Sequence, residues 1–126
     1  MYRRFYSEIL EDAPQLARAN ERAVMLHSIQ LLDCAEKAGP KTRQAVEALL
    51  FLRRLWEFLL VDLGKSENQL PQKLRADLIS VGIGVLKHAD AISRGESNDF
   101  ASLKEISQAI ADGFYDEAVL HQPEIR

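Results

Sequence analysis

The run "KTRQAVEALLFLRRLWEFLLVDLG", Lys41 to Gly64, constrains this chain more than any other stretch, because it is apolar on two sides. At 100° per residue, Ala45, Leu49, Leu52, Trp56, Leu59 and Leu63 share one face of a helix, and Gly64 follows its end. Phe51, Leu55 and Phe58 form a further apolar row on the far side, which Leu50 and Val61 extend past Arg54. A surface helix carries one apolar stripe. A helix with two is expected either to lie between neighbours on both flanks or to offer its extra row to a partner.

Three more helices are predicted around it. "EDAPQLARANERAVMLHSIQLLDCAEKAGP" opens with Asp12 as cap and Pro14 in the first turn, and it closes on Gly39 and Pro40. Ala17, Val24, Leu31 and Ala35, with Ser28 between them, make its apolar stripe, widened by Met25 and Leu32; Arg18, Arg22, Asp33 and Glu36 stand on the other side. "ADLISVGIGVLKHADAI" looks strand-like in its middle, but strict alternation fails at "VLKHADAI". Leu74, Leu78, Val81, Val85, Ala89 and Ile92 instead share one side of a helix with Pro71 at its start, so length and period both favour the helix. Gly82 falls at the edge of that core face, where a missing side chain lets another helix approach closely; Gly84 points nearly the opposite way. The last helix restarts after Gly95 with Ser97 or Asn98 as cap, and carries Phe100, Leu103, Ile106, Ile110 and Phe114 at spacings of three and four.

The expected fold is therefore all-α, an antiparallel bundle of about four helices in a single domain over residues 1–126, with the second helix as its centre. Residues 1–11 read as an N-terminal arm and 116–126 as a tail that frays beyond Gly113. At 126 residues the chain can bury roughly two-thirds of its unfolded surface without disulfides or metal. A composition of 47% hydrophobic and 28% charged residues is too apolar for disorder.

Sixteen basic against nineteen acidic residues leave a formal charge of −3, so the chain has no global positive field to hold nucleic acid. Cys34 stands alone, which excludes an intramolecular disulfide and fits a reducing compartment; a cytoplasmic address is expected. The stretch "MYRRFYSEILEDAP" turns acidic before any apolar run and is not read as a signal peptide. No segment reaches the roughly eighteen apolar residues of a membrane span.

Chemistry is sparse. His27, His88 and His121 lack partners at zinc-binding spacings, so no metal or cofactor is expected. His27 sits two helical turns from Cys34, too far to take its proton, and "GIG" within a helix lacks the turn that cradles phosphate. No enzymatic activity is expected. Two features stand above that background. The far side of the second helix, Leu50, Phe51, Arg54, Leu55, Phe58 and Val61, is either covered by neighbouring helices or forms a groove for an amphipathic partner helix. The cluster "YRRFY", Tyr2 to Tyr6, is either an arm packed by its aromatics or a stacking surface for single-stranded RNA.

The stretches "VEALLFLRRLWEFLLVDL", "ENQLPQKLRADLISVGIGVL" and "SNDFASLKEISQAIADG" resemble the flagellar biosynthesis regulator FlaF, through nearly the whole chain. The recurrent residues are Arg53, Arg54, Leu55 and Trp56; then Asn68, Leu70 and Pro71 before a helix; then Ser97, Asn98 and Phe100 opening the last one. Gly84 departs from the family pattern, in which this position often holds a bulkier, frequently aromatic residue. The resemblance implies a small helical protein that promotes flagellin production and export and works opposite to FlbT, which restrains flagellin synthesis through its messenger RNA. Two roles follow as expectations. One is a flagellin-binding secretion chaperone that shields an amphipathic terminal region before assembly and feeds back on translation; the other is a regulatory adaptor that binds or antagonises FlbT. A homodimer through the spare apolar face is a further expectation.

Overall fold

A computed structural model describes the backbone of residues 14–120 and the side chains of residues 21–113. The Tyr2 to Tyr6 cluster, the Asp12 cap and the final residues 121–126 lie outside the described part. Four helices follow one another: α1 (Pro14–Ala38), α2 (Arg43–Leu63), α3 (Gln72–Ser93) and α4 (Phe100–Leu120). The described chain is an all-α bundle, as the apolar periodicity predicts, and "GIG" lies within α3.

Turn chemistry sets the helix boundaries. The α1 helix ends where the Gly39 N–H donates to the Ala35 carbonyl and Gly39 takes a φ of 109°, a left-handed conformation that favours glycine. Thr42 then caps α2, its hydroxyl accepting from the Ala45 N–H at 3.2 Å. Between α2 and α3, Asn68 works as a staple. Its amide donates to the Asp62 carbonyl at 3.2 Å and to the Asp62 carboxylate at 3.1 Å, while its own oxygen accepts from the Leu70 N–H at 3.0 Å. The cap of α4 falls one residue later than expected: Asp99, not Ser97 or Asn98, accepts from the Ser102 N–H at 3.0 Å and from its hydroxyl at 2.6 Å. An ionised carboxylate suits the positive end of a helix, and Ser97 takes the supporting role of accepting from the Asp99 N–H at 3.1 Å. At the other end α4 continues through Gly113 to Leu120, beyond the expected fraying point. A lone glycine costs a helix about 1 kcal/mol, too little to stop it.

The helices pack in the order α4, α1, α2, α3, each lying along the next, whereas α3 and α4 touch at only a few residues. The centre is thus shared by α1 and α2. This order explains why α2 is apolar on two flanks: it has α1 on one side and α3 on the other. On the α1 side, Phe51 meets the His27 ring edge-on at 5.1 Å between centroids. On the α3 side, the Trp56 indole fills the notch at Gly82, where a Cβ would come within 2.6 Å of Trp56 Cε3 and 3.0 Å of Leu60 Cδ2. Trp56 is fully buried with Met25, Leu32, Leu52, Ile92, Phe100 and Leu103 in the core. Truncating such a side chain to alanine typically costs about 3–5 kcal/mol.

Ion pairs tie neighbouring helices at the surface. Arg53 on α2 pairs with Asp90 on α3 and more loosely with Glu57 at 3.9 Å. Lys104 on α4 bridges Asp33 at 3.1 Å and Glu36 at 2.5 Å on α1, so the start of α4 lies against the end of α1.

Candidate functional site

The side chains on the far side of α2 separate into three environments. Leu55 belongs to the core at 5% exposure, because at 100° per residue it lies within a fraction of a turn of Leu52 and Leu59. It is no groove residue. Phe51 and Phe58 are half-buried and pack against the core from its edge. Leu50, Arg54 and Val61 face solvent, Leu50 at 45% exposure and Val61 at 66%. The row read from sequence is thus partly core, partly shoulder and partly open surface.

Two further large apolar residues are exposed beyond those that the periodicity singled out. Val46, 64% exposed, lies one turn before Leu50, and Ile83, 46% exposed, faces outward from α3. Val46 had a signal in the sequence, since it shares the i, i+4 spacing of Leu50 and Arg54. Ile83 had none, because its face is decided by how α3 docks on α2. The large apolar side chains exposed among the described residues are Val46, Leu50 and Val61 on α2 and Ile83 on α3.

The charges on this face are asymmetric. Arg53 is engaged by Asp90 and Glu57, and Glu47 pairs with Arg43 at 3.4 Å. Arg54, exposed beside them, has no ion pair among the described residues. The adjacent arginines diverge by about 100° on the helix, so one closes the fold and the other faces outward.

Elsewhere the geometry offers little. His27 packs on Phe51, Cys34 is exposed, and no group of three or more metal-binding side chains occurs among the described residues. A cavity of about 10 Å³ lined by Glu21, Trp56, Asp62, Leu70 and Leu78 has room for a single water. An open cleft of about 540 Å³ lies between Pro40, Lys41 and the α3–α4 connection, where Arg94 is already held by both oxygens of Glu96. That pairing lowers the Glu96 pKa from its ordinary value and raises that of Arg94. No described helix is long and apolar enough to cross a membrane.

The residues that carry the sequence resemblance now have structural reasons. Arg53 ties α2 to α3, Trp56 fills the Gly82 notch, Asn68 staples the turn, and Ser97 and Asn98 shape the entry to α4 before the buried Phe100. The family model for flagellar protein FlaF matches residues 2–114. The chain belongs to the FlaF family. It is a flagellar protein. Neither a curated protein nor a solved structure shows a significant match to it. Among the FlaF-like motif residues, Arg54 stands out for having no ion pair among the described residues.

Proposed function

We propose that this chain acts by binding, without catalysis, as a cytoplasmic secretion chaperone for flagellin whose occupancy is coupled to flagellin translation. The observation that carries this reading is the open face of α2, where Leu50, Val61 and Arg54, which has no ion pair among the described residues, lie beside the half-buried shoulder of Phe51 and Phe58, in a member of a flagellar family. Apolar anchors beside an exposed cation suit an amphipathic helix with a carboxylate near its apolar stripe. On this reading the segment held is an amphipathic terminal region of unassembled flagellin.

The test is co-elution of the purified chain with full-length and terminally truncated flagellin, with FlbT run in parallel. Flagellin binding that disappears on truncation supports the chaperone reading. Binding to FlbT with none to flagellin overturns it in favour of an adaptor in translational control. Because Leu50 and Val61 are exposed, Leu50→Asp and Val61→Asp leave the helix signal in circular dichroism intact and abolish co-elution. Phe51→Asp is a poorer probe, since it also disturbs the packing against His27.

A further inference from the structure

The outward face of α2 reads nearly the same from either end. From Leu50 to Val61 it presents, in order, Leu50, Arg54, Glu57 and Val61: an apolar residue, a cation, an anion and an apolar residue, with equal spacing on either side of a midpoint between Leu55 and Trp56; Val46, one turn further out, lies beyond this symmetric stretch. All four side chains are exposed, and all four fall within a narrow arc on the side of the helix opposite Leu52 and Leu59. An isologous interface demands this kind of self-complementarity, since each residue i that meets j must also meet it in reverse.

We infer that this face is a two-fold interface between copies of the chain, with the α2 helices antiparallel and the axis passing between Leu55 and Trp56. In that arrangement Leu50 lies level with Val61 of the partner subunit, and Arg54 lies level with Glu57 of the partner subunit. Each apolar contact and each charge contact occurs twice. The charges are free to make these contacts. Arg54 has no ion pair within the described residues, and Glu57 has only the loose 3.9 Å contact to Arg53, which keeps Asp90 as its partner. A second copy therefore fits the face better than an arbitrary apolar partner, because charge order as well as apolar position is matched. The interface uses Leu50, Arg54 and Val61, which the flagellar-partner reading also uses. If that reading holds, copy and partner exclude one another, and the dimer is the unloaded form.

Charge exchange tests the inference. Sedimentation of the full chain over a concentration series is expected to show a dimer. Arg54→Glu and Glu57→Arg each place like charges level across the seam and raise the dimer dissociation constant by about tenfold or more. The double variant, Arg54→Glu with Glu57→Arg, restores opposite charges and recovers dimer. Because Arg54 and Glu57 are three apart on one helix, the exchange would also restore a pair within the monomer; equal helix content by circular dichroism in all four proteins is the control that assigns the recovery to the seam. A wild-type chain that remains monomeric throughout overturns the inference. So does a dimer indifferent to both single changes, which would place the interface elsewhere, and so does a double variant no better than either single. The flagellin experiment is read separately. A charge-dependent dimer that binds no flagellar partner leaves this interface standing and removes the chaperone reading; flagellin bound by a strictly monomeric chain does the reverse.

Discussion

Two glycines of α3, two positions apart, have opposite fates. At Gly82 an added methyl group meets ring carbons of a buried Trp56, whereas at Gly84 it meets nothing within 4 Å. Helix propensity favours alanine over glycine by about 1 kcal/mol at both positions. Overpacking against a fixed ring costs about 1–3 kcal/mol. Gly82→Ala is therefore expected to destabilise the chain on balance and Gly84→Ala to stabilise it, with opposite shifts in urea midpoint. Equal shifts would mean that the Trp56 notch does not exist in solution. Ser28 on α1 and Ser107 on α4 make a different residue-scale case. Both are fully buried, and neither hydroxyl has a hydrogen-bond partner among the described residues. Core truncations usually destabilise, but removing an unsatisfied buried hydroxyl while keeping Cβ relieves a desolvation cost of about 1–3 kcal/mol. Ser28→Ala and Ser107→Ala should leave thermal stability unchanged or raise it, and a clear drop in melting temperature would reveal a partner for the hydroxyl.

At the scale of the helix, the α1–α4 pair carries a pH dependence of known sign. Hydrogen bonds from Lys37 and then Lys104 hold the Asp33 carboxyl below its ordinary pKa, and the Ser102 hydroxyl and N–H do the same for the α4 cap Asp99. A carboxylate whose folded pKa is depressed contributes stability above its unfolded value, about 3.9, and loses it as pH falls through the folded value. Lys104, raised by Glu36 and Asp33, contributes below its unfolded value of about 10.4 and loses that contribution only in strong alkali. Lys104→Gln should thus lower the melting temperature at neutral pH, and the gap from wild type should narrow below about pH 4. A gap constant from pH 7 to pH 3 would show that the bridge contributes nothing, as many exposed ion pairs do. The helices themselves were legible because each keeps a 3.6-residue period over many turns. Their ends were less so: Ser97, Asn98 and Asp99 are all good caps, and which one starts α4 depends on where Phe100 enters the core. The candidate site was legible only in outline. Periodicity located an extra apolar row on α2, and the angular position of Leu55 between Leu52 and Leu59 already pointed to core; whether Phe51 and Phe58 were shoulder or open surface was not legible, because that depends on how α1 and α3 dock.

For the whole molecule, a net charge of −3 leaves no global positive field to hold nucleic acid. Binding to flagellin messenger RNA should therefore be negligible at moderate salt. Retention of the RNA that falls steeply as salt rises would contradict this and revive a direct contact through Arg3 and Arg4. The row α4, α1, α2, α3 also distributes stability unevenly. The α3 helix rests on α2 through the Gly82 notch and the Arg53–Asp90 pair and has little hold on α4, whereas α1 is braced on both flanks. Amides of α3 are expected to exchange with solvent deuterium sooner than those of α1, as a unit that opens below the global unfolding free energy. Equal protection across the four helices would sink that expectation. The chain's single tryptophan stands at the joint where α3 meets α2. Its fluorescence is thus a native reporter of that one contact: if α3 lifts away, the indole becomes wet and its emission moves to the red while the helical signal persists, with no label added.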